Sequence, residues 1–319
     1  MNNNPEEIIE KLNRAKTLAI FCHARPDGDA LGAGLALYLA LKGAGKTAYM
    51  CCDDLPPEKF SFLPAMKEVL TSLPEADYDT FVSVDCADVA RLGSFAKRYL
   101  KFKGDTLNID HHVSNDGYGK YNYIEVCPAS CEVITSLFQE AGWTVTEEIA
   151  NLLMLGLITD SGNFTHLDVS ERTYSTAAYL RRYGADMNII NYNMFSRQSK
   201  VRALLYGKVM SGMRFALDDK LAIIVIPNKD LQSANADSGL TEGFVDFPLT
   251  VDGVEVAVSL MEYKPNLYKI SLRSKGTVNV NAIAVGFGGG GHVLASGCLI
   301  GGPLEEVIEK LTYAIYQAL

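Results

Sequence analysis

Short apolar runs alternate with helix-like repeats from residue 5 to about residue 190. The runs predict buried strands over Thr17–Cys22, Thr47–Cys52, Thr80–Asp85 and Asp105–Asp110. Apolar residues that recur every three or four positions predict helices over Ala30–Gly43, Ser130–Ala141 and Glu147–Leu157, although a buried strand is an alternative for the last. Strands that alternate with helices are typical of βαβ units, so we expect an α/β domain with a mostly parallel sheet.

The pattern changes after residue 186, where polar residues become frequent. Further apolar runs predict strands over Leu221–Ile226, Val254–Met261 and Leu267–Leu272, and an amphipathic helix is predicted from about Pro303. We therefore expect a first domain over residues 1–188, a helical linker over 189–212 and a smaller α/β domain over 213–319. The active site is expected in the cleft between the two domains.

Acidic and histidine side chains follow the predicted strands. They are His23, Asp27 and Asp29 after the first strand, Asp85 at the third, Asp110, His111 and His112 at the fourth, and Asp160 after the helical repeat. Because the carboxyl ends of parallel strands lie at one edge of a sheet, we expect these groups to converge. Mixed carboxylate and imidazole ligands suit Mn²⁺ or Mg²⁺, and a pair of such ions is a common device for hydrolysing phosphate esters.

Each of these residues also has an ordinary alternative role. A single Asp-Gly-Asp is usually a solvated turn, and Asp85 or Asp160 could cap a helix. His111 and His112 could be one core and one surface histidine. Only their joint arrangement favours a metal centre, and His166, which has no such support, is predicted to be structural.

A glycine-rich loop, Gly286–His292, is the second candidate site. Consecutive glycines leave backbone amides free to bind an anion, and a nearby arginine can hold a phosphate with two hydrogen bonds. A flexible hairpin and a solvated basic strand edge are the alternatives. We expect the second domain to bind the phosphate or base of a substrate through Arg273, Ser274, Gly289, Gly290, Gly291 and His292.

Composition and charge limit the class of partner. Apolar residues make up 48% and the formal net charge is −9, which argues against a protein that grips long duplex nucleic acid. No apolar run reaches the roughly 18 residues of a membrane span, and the polar, acidic start does not resemble a secretory signal. We expect a cytoplasmic protein with no membrane contact, with short single-stranded RNA or DNA or small nucleotides as substrates; a homodimer is left open.

The motifs resemble a known family. His23–Gly32, the Val84-Asp85 step, Asp110-His111-His112 and Gly156–Gly162 resemble the four motifs of the DHH phosphoesterases. Gly289–His292 with Ala295–Gly297 resembles the signature of the DHH-associated C-terminal domain. Size and motif order are most similar to the NrnA-like branch of nanoRNases and 3′-phosphoadenosine 5′-phosphate phosphatases.

The resemblance implies an activity. It implies an Mn²⁺-dependent phosphodiesterase, or exoribonuclease, that degrades oligonucleotides from dinucleotides to about five nucleotides, with 3′-phosphoadenosine 5′-phosphate as a further substrate. Cleavage of cyclic di-AMP or of linear diadenylate is an alternative. A RecJ-like single-strand exonuclease and an inorganic pyrophosphatase are further alternatives, and the glycine loop speaks against the pyrophosphatase.

The resemblance also implies roles for single residues. It places His23, Asp27 and Asp85 on one divalent ion, and Asp29, Asp85, His111 and Asp160 on a second. Mn²⁺ is expected, with Mg²⁺ or Co²⁺ as alternatives. The catalytic residues would be Asp85, His112, which contacts the substrate or leaving oxygen, and Asp110, which orients the histidines.

Overall fold

The chain folds into two compact units, each with its own sheet. The structure is a computed structural model that describes residues 2–233 and 238–319. The first unit ends at Arg197 and the second runs from Gln198 to Leu319. The described residues form one six-stranded sheet in each unit, with helices packed against both sheets, so the expected α/β class is confirmed. No helix of these residues is long and apolar enough to cross a bilayer.

The first sheet is parallel throughout. Its strands are β1 (Thr17–Phe21), β2 (Thr47–Cys51), β3 (Val69–Leu70), β4 (Thr80–Val84), β5 (Asp105–Asp110) and β6 (Tyr121–Ile124). They lie in the order β3-β2-β1-β4-β5-β6. The predicted strands are confirmed to within one residue. The apolar pattern does not predict β3, which has two residues, or β6, which alternates polar and apolar residues at the sheet edge.

Helices cover both faces of this sheet. They are α1 (Pro5–Arg14), α2 (Gly28–Gly43), α3 (Ala96–Lys101), α4 (Ser130–Ala141), α5 (Glu147–Asp160), α6 (Glu171–Arg182) and α7 (Met187–Asn191). The core under α1, α2, α4 and α5 is mostly aliphatic, and a smaller cluster rich in aromatic rings lies on the other face, where α3 packs. The bounds of α5 exclude the strand alternative for this stretch.

Two helix ends differ from the prediction, and both carry candidate ligands. Asp27 is the N-cap of α2, so Asp29 lies inside the first turn and does not begin the helix. Asp160 is the last residue of α5 and does not lie beyond its end. The Asp27 carboxylate accepts amide hydrogen bonds, so α2 can begin earlier than its apolar repeat indicates. At the other helix, Thr159 and Asp160 extend the last turn of α5 beyond the apolar repeat.

The second unit has a mixed sheet in which only β8 and β9 run parallel among the described pairs. Its strands are β7 (Arg214–Ala216), β8 (Leu221–Ile226), β9 (Val256–Lys264), β10 (Leu267–Ser274), β11 (Gly290–Gly291) and β12 (Ala295–Gly301), in the order β11-β12-β10-β9-β8-β7. Its helices are α8 (Lys200–Ser211), α9 (Asn228–Ser233), α10 (Val280–Gly286) and α11 (Leu304–Tyr316). The α10 and α11 helices cover one sheet face, and α8 packs on the other at β8.

Candidate metal centre

The carboxyl ends of β1, β4 and β5 place polar side chains at one edge of the first sheet. His23 follows β1, Asp85 follows β4, and β5 ends in Asp110. The chain proceeds outward from β1 through β2 to β3, and from β4 through β5 to β6, so the order reverses between β1 and β4. In parallel sheets a crevice forms at such a reversal, and ligands bind there.

His23, Asp27 and Asp85 form the first group of candidate ligands. The Nε2 atom of His23 lies 3.5 Å from Asp27 Oδ2 and 3.5 Å from Asp85 Oδ2. The other oxygen of Asp27 accepts hydrogen bonds from the amides of Asp29 and Ala30, which hold it at the start of α2. Burial lowers the pKa of His23, but the two carboxylates outweigh it and raise the pKa to about 10. An imidazole nitrogen that faces two carboxylates across such gaps offers a site for a cation.

The Asp29 side chain extends from the first turn of α2 to the N-terminus of α4. It is fully buried, and its two oxygens accept hydrogen bonds from the amides of Ser130, at 2.6 Å, and Cys131, at 2.9 Å. Burial and the charges of Asp85 and Asp160 raise the pKa of Asp29. Burial and the charge of Asp85 likewise raise the pKa of Asp160 to about 6. Carboxylates that repel one another in this way are stabilised as anions by a cation between them.

His111 joins the second group of candidate ligands, with Asp29 and Asp160. Its Nδ1–H donates to the carbonyl of Cys127 at 2.8 Å, which turns Nε2 toward the carboxylates. The Nε2 atom lies 3.5 Å from Asp85 Oδ1 and 3.4 Å from Asp160 Oδ2. It is buried and has no hydrogen-bond partner among the described residues. Buried polar atoms are rarely unpaired, and a divalent metal ion would satisfy this one.

Asp110 and His112 form a hydrogen-bonded pair, and with Asp85 and His111 they make a third group close enough to hold a metal ion. His112 Nδ1 donates to Asp110 Oδ1 at 2.8 Å, and Asn115 donates to the second oxygen of Asp110 at 2.6 Å. Burial opposes the effect, but these bonds lower the pKa of Asp110. The hydrogen bond to Asp110 raises the pKa of His112, whose side chain is 32% exposed. His112 is therefore placed to hold a proton at the open side of the site.

Asp85 lies at the middle of the cluster and has unusual backbone geometry. Its φ angle is 50°, in the left-handed region that non-glycine residues seldom adopt. Such strain concentrates at functional sites, where surrounding contacts maintain it. Here the amide of Asp85 donates to the carbonyl of Ile109, and Ser130 Oγ donates to Asp85 Oδ1 at 3.0 Å.

Sequence reasoning missed Ser130 and the carbonyl of Cys127. A serine at the start of a predicted helix is usually interpreted as a helix cap. The pattern of residues along the chain does not predict that its hydroxyl contacts Asp85. A backbone carbonyl has no sequence signature at all. The residues predicted for the first domain do come together in the structure. Two of the contacts that orient them come from Cys127, before α4, and from Ser130, the first residue of α4.

The residues predicted for the second domain do not all share one surface. A groove of about 740 Å³ on the second sheet is lined by Arg273, Gly289, Gly290 and Gly291, among others. Arg273 Nε donates to Asp246 Oδ1 at 2.9 Å, so the guanidinium is already in an ion pair.

His292 and Ser274 are placed differently. His292 is exposed in the turn between β11 and β12, beside the groove, and its amide donates to Ala295. Ser274 is buried, and its hydroxyl accepts hydrogen bonds from the amides of Gly276 and Val278. The Ser274 side chain therefore stabilises the turn after β10.

Comparison with known proteins identifies the family of this chain. The DHH family, N-terminal domain, matches residues 17–157, and the DHHA1 domain matches residues 218–319. The chain is 32% identical over 305 residues to the bifunctional oligoribonuclease and PAP phosphatase NrnA of Thermus thermophilus, with 94% of this chain and 89% of that protein covered. The chain belongs to the DHH family. The family predicted from the motifs is therefore confirmed.

Other DHH relatives match along nearly the whole chain. The bifunctional oligoribonuclease and PAP phosphatase NrnA of Mycoplasma genitalium is 29% identical, with 96% of this chain and 98% of that protein covered. The crystal structure of an exopolyphosphatase-related protein from Bacteroides fragilis superposes with a TM-score of 0.83 at 25% identity, covering 98% of this chain and 95% of that chain. This DHH-family chain is a hydrolase that acts on phosphate esters. The family depends on metal ions, and the cluster described above offers ligands for them.

Proposed function

We propose that this protein is an Mn²⁺-dependent exoribonuclease that degrades RNA from dinucleotides to about five nucleotides into mononucleotides, and that it also dephosphorylates 3′-phosphoadenosine 5′-phosphate. The observation that carries the proposal is the convergence of carboxylates and imidazoles around the buried Nε2 of His111, which has no hydrogen-bond partner within the described part of the chain. The names of the Thermus and Mycoplasma relatives support the choice of substrate.

The first group of ligands, His23, Asp27 and Asp85, would hold one ion. Asp29, His111 and Asp160, with Asp85 shared, would hold the other. Bound divalent ions activate water and neutralise charge at phosphorus.

The chain's own residues orient this chemistry. Cys127 fixes the His111 ring so that Nε2 faces the carboxylates, and the start of α2 fixes Asp27. Asp110 holds Nδ1 of His112 and raises its pKa, so that the protonated ring can donate from Nε2 to a leaving oxygen. A raised pKa increases the fraction of His112 rings that carry the proton at a given pH.

The groove of the second unit would bind the phosphate or base of the substrate. The glycines on β11 leave its floor free of side chains, and Arg273 and Lys269 project from the β10 face that lines it. Asp246 holds the guanidinium of Arg273 through Nε. In an acidic protein these cations give the groove a local preference for anions.

A substrate panel tests the proposal. The purified protein would be stripped with a chelator, reloaded with Mn²⁺ and given 5′-phosphorylated diadenylate, a five-nucleotide RNA, 3′-phosphoadenosine 5′-phosphate, cyclic di-AMP or pyrophosphate. We expect no turnover without metal, fastest release of mononucleotide from the dinucleotide, and slower release of phosphate from 3′-phosphoadenosine 5′-phosphate. Pyrophosphate as the only substrate, or cyclic di-AMP as the fastest, would contradict the proposal.

The Asp85→Asn variant is the matched blank for this panel. Because it removes the ligand shared by both groups, we expect a loss of roughly 10³-fold, in keeping with the several kcal/mol that bound metals supply. Asparagine tolerates the left-handed backbone of Asp85, so circular dichroism is expected to stay unchanged. Asp252→Asn, at an exposed turn of the second unit, should retain full activity. A fully active Asp85→Asn protein would refute the shared-ligand assignment.

A further inference from the structure

Residues 125–132 join β6 to the first turn of α4, and we call them the support segment. The segment begins at Glu125, directly after β6, and ends at Glu132 inside α4. None of its side chains belongs to the candidate ligand groups of the described residues. Its contacts with those ligands are nevertheless extensive.

The support segment holds candidate ligands from both groups. The carbonyl of Cys127 accepts the Nδ1–H of His111 at 2.8 Å. The hydroxyl of Ser130 donates to Asp85 at 3.0 Å, and its amide donates to Asp29 at 2.6 Å. A shift of this segment would therefore move these three ligands together.

Arg172, in the first turn of α6, clamps both ends of the segment. Its guanidinium pairs with both oxygens of Glu125, with an Nη2 to Oε2 distance of 3.0 Å. Its Nε lies 3.2 Å from Glu132 Oε1, and Nη2 also donates to Ser136 at 2.9 Å. One planar cation thus joins α6 to the start and the end of the support segment.

Glu132 makes this clamp necessary. Its side chain is fully buried, and neither carboxylate oxygen has a hydrogen-bond partner among the described residues. A buried carboxylate is costly without compensating partners. Burial raises the pKa of this one, while the Thr173 side chain and the Arg172 guanidinium that lies against it act to lower that pKa. Loss of Arg172 would force the carboxylate to take up a proton or to move toward water, and the segment would move with it.

We propose that Arg172 is a positioning residue of the metal centre, which fixes Asp29, Asp85 and His111 by clamping both ends of the support segment. The proposal rests on the proposed function, because it assumes that these residues bind metal. Residues that orient metal ligands without touching the metal commonly change metal affinity about 10- to 100-fold when they are replaced.

Calorimetric titration of the metal-free protein with Mn²⁺ tests this role directly. We expect Arg172→Gln to bind Mn²⁺ about 10- to 100-fold more weakly, and Arg172→Lys, which keeps the charge but not the fork, to lie between it and the unmodified protein. Arg182→Gln, at the exposed end of the same helix, is the control and should bind normally. At saturating Mn²⁺ the KM for diadenylate should stay unchanged in all variants, because Arg172 contacts residues of the protein and is not expected to contact the substrate.

A double variant separates positioning from simple charge balance. Arg172→Gln combined with Glu132→Gln removes the buried charge, so its melting temperature should recover relative to Arg172→Gln alone while Mn²⁺ binding stays weak. Normal Mn²⁺ affinity in the double variant, or in a folded Arg172→Gln protein, would overturn the positioning role alone. Failure of the unmodified protein to bind Mn²⁺ would overturn this role and the proposed function together.

Discussion

At the scale of single residues, His111 shows how a main-chain contact decides what a side chain can do. The Cys127 carbonyl takes its Nδ1–H, so Nε2 is left facing Asp85 and Asp160. The histidine pair can be recognised in the sequence as a candidate for metal binding, because imidazole is a common metal ligand. The carbonyl is not visible, because every residue has one.

Glu132 allows a prediction about pH. Burial raises its pKa above the ordinary 4.5, so the folded protein binds this proton more tightly than the unfolded chain does. The stability that the neutral carboxyl contributes is complete below pH 4.5 and is lost as the pH rises through the folded-state pKa. Glu132→Gln has no such proton to lose. Relative to the unmodified protein, the variant should therefore gain stability as the pH rises.

Urea unfolding from pH 4 to pH 8, in one buffer series, measures this difference. The unfolding free energy of Glu132→Gln minus that of the unmodified protein should rise above pH 4.5. Glu309→Gln, on the exposed side of α11, is the control for the same substitution at an exposed position. If the difference falls with pH instead, the ion pair with Arg172 outweighs the cost of burying the Glu132 carboxylate.

At the scale of elements, α2 and α5 bring two candidate ligands together. Asp29 lies in the first turn of α2 and Asp160 in the last turn of α5, so the helices run in opposite directions past each other. A Cβ on Gly156 of α5 would collide with Asp29 and with Cys131 of α4. The close approach of these helices, and with it the position of Asp29, therefore depends on this glycine.

Gly156→Ala should expose that dependence. We expect the unfolding free energy to fall by about 1–3 kcal/mol, the usual cost of overpacking, and Mn²⁺ binding to weaken because Asp29 must move. Gly207→Ala is the matched control, since Gly207 also lies within a helix, α8, but has open space where an added Cβ would lie. It should gain up to about 1 kcal/mol from helix propensity. Equal behaviour of the two variants in urea unfolding and metal titration would contradict the packing argument.

At the scale of the whole molecule, each unit has its own apolar core. The clusters of buried residues in the first unit contain none from the second, and the reverse is also true of the described chain. Residues 195–200, which lead from the first unit to α8, are exposed. In a chain divided in this way, the stretch that connects the two units is expected to be the most sensitive to protease.

Limited trypsin digestion tests this division. Arg197 and Lys200 lie in the exposed stretch, so brief digestion should cut there first and give one fragment that ends near Arg197 and one that begins near Gln198 or Val201. Mass spectrometry identifies the ends, and circular dichroism of the mixture should keep most of the helical signal. Earlier cuts after Lys11 in α1 or after Arg273 in β10 would contradict independent cores.

The sequence by itself determined the strands β1, β2, β4, β5 and β8, the family and the types of the candidate ligands. Apolar periodicity and motif spacing are local properties, so they can be read along the chain. Only the tertiary structure decided that Ser130 supports Asp29 and Asp85, that Arg172 reaches Glu125 and Glu132, and that Ser274 stabilises a turn. The contact between Ser130 and Asp29 joins residues that lie 101 positions apart. The role of Ser274 depends on which face of its strand is covered. Such pairings follow from packing, which no local pattern encodes.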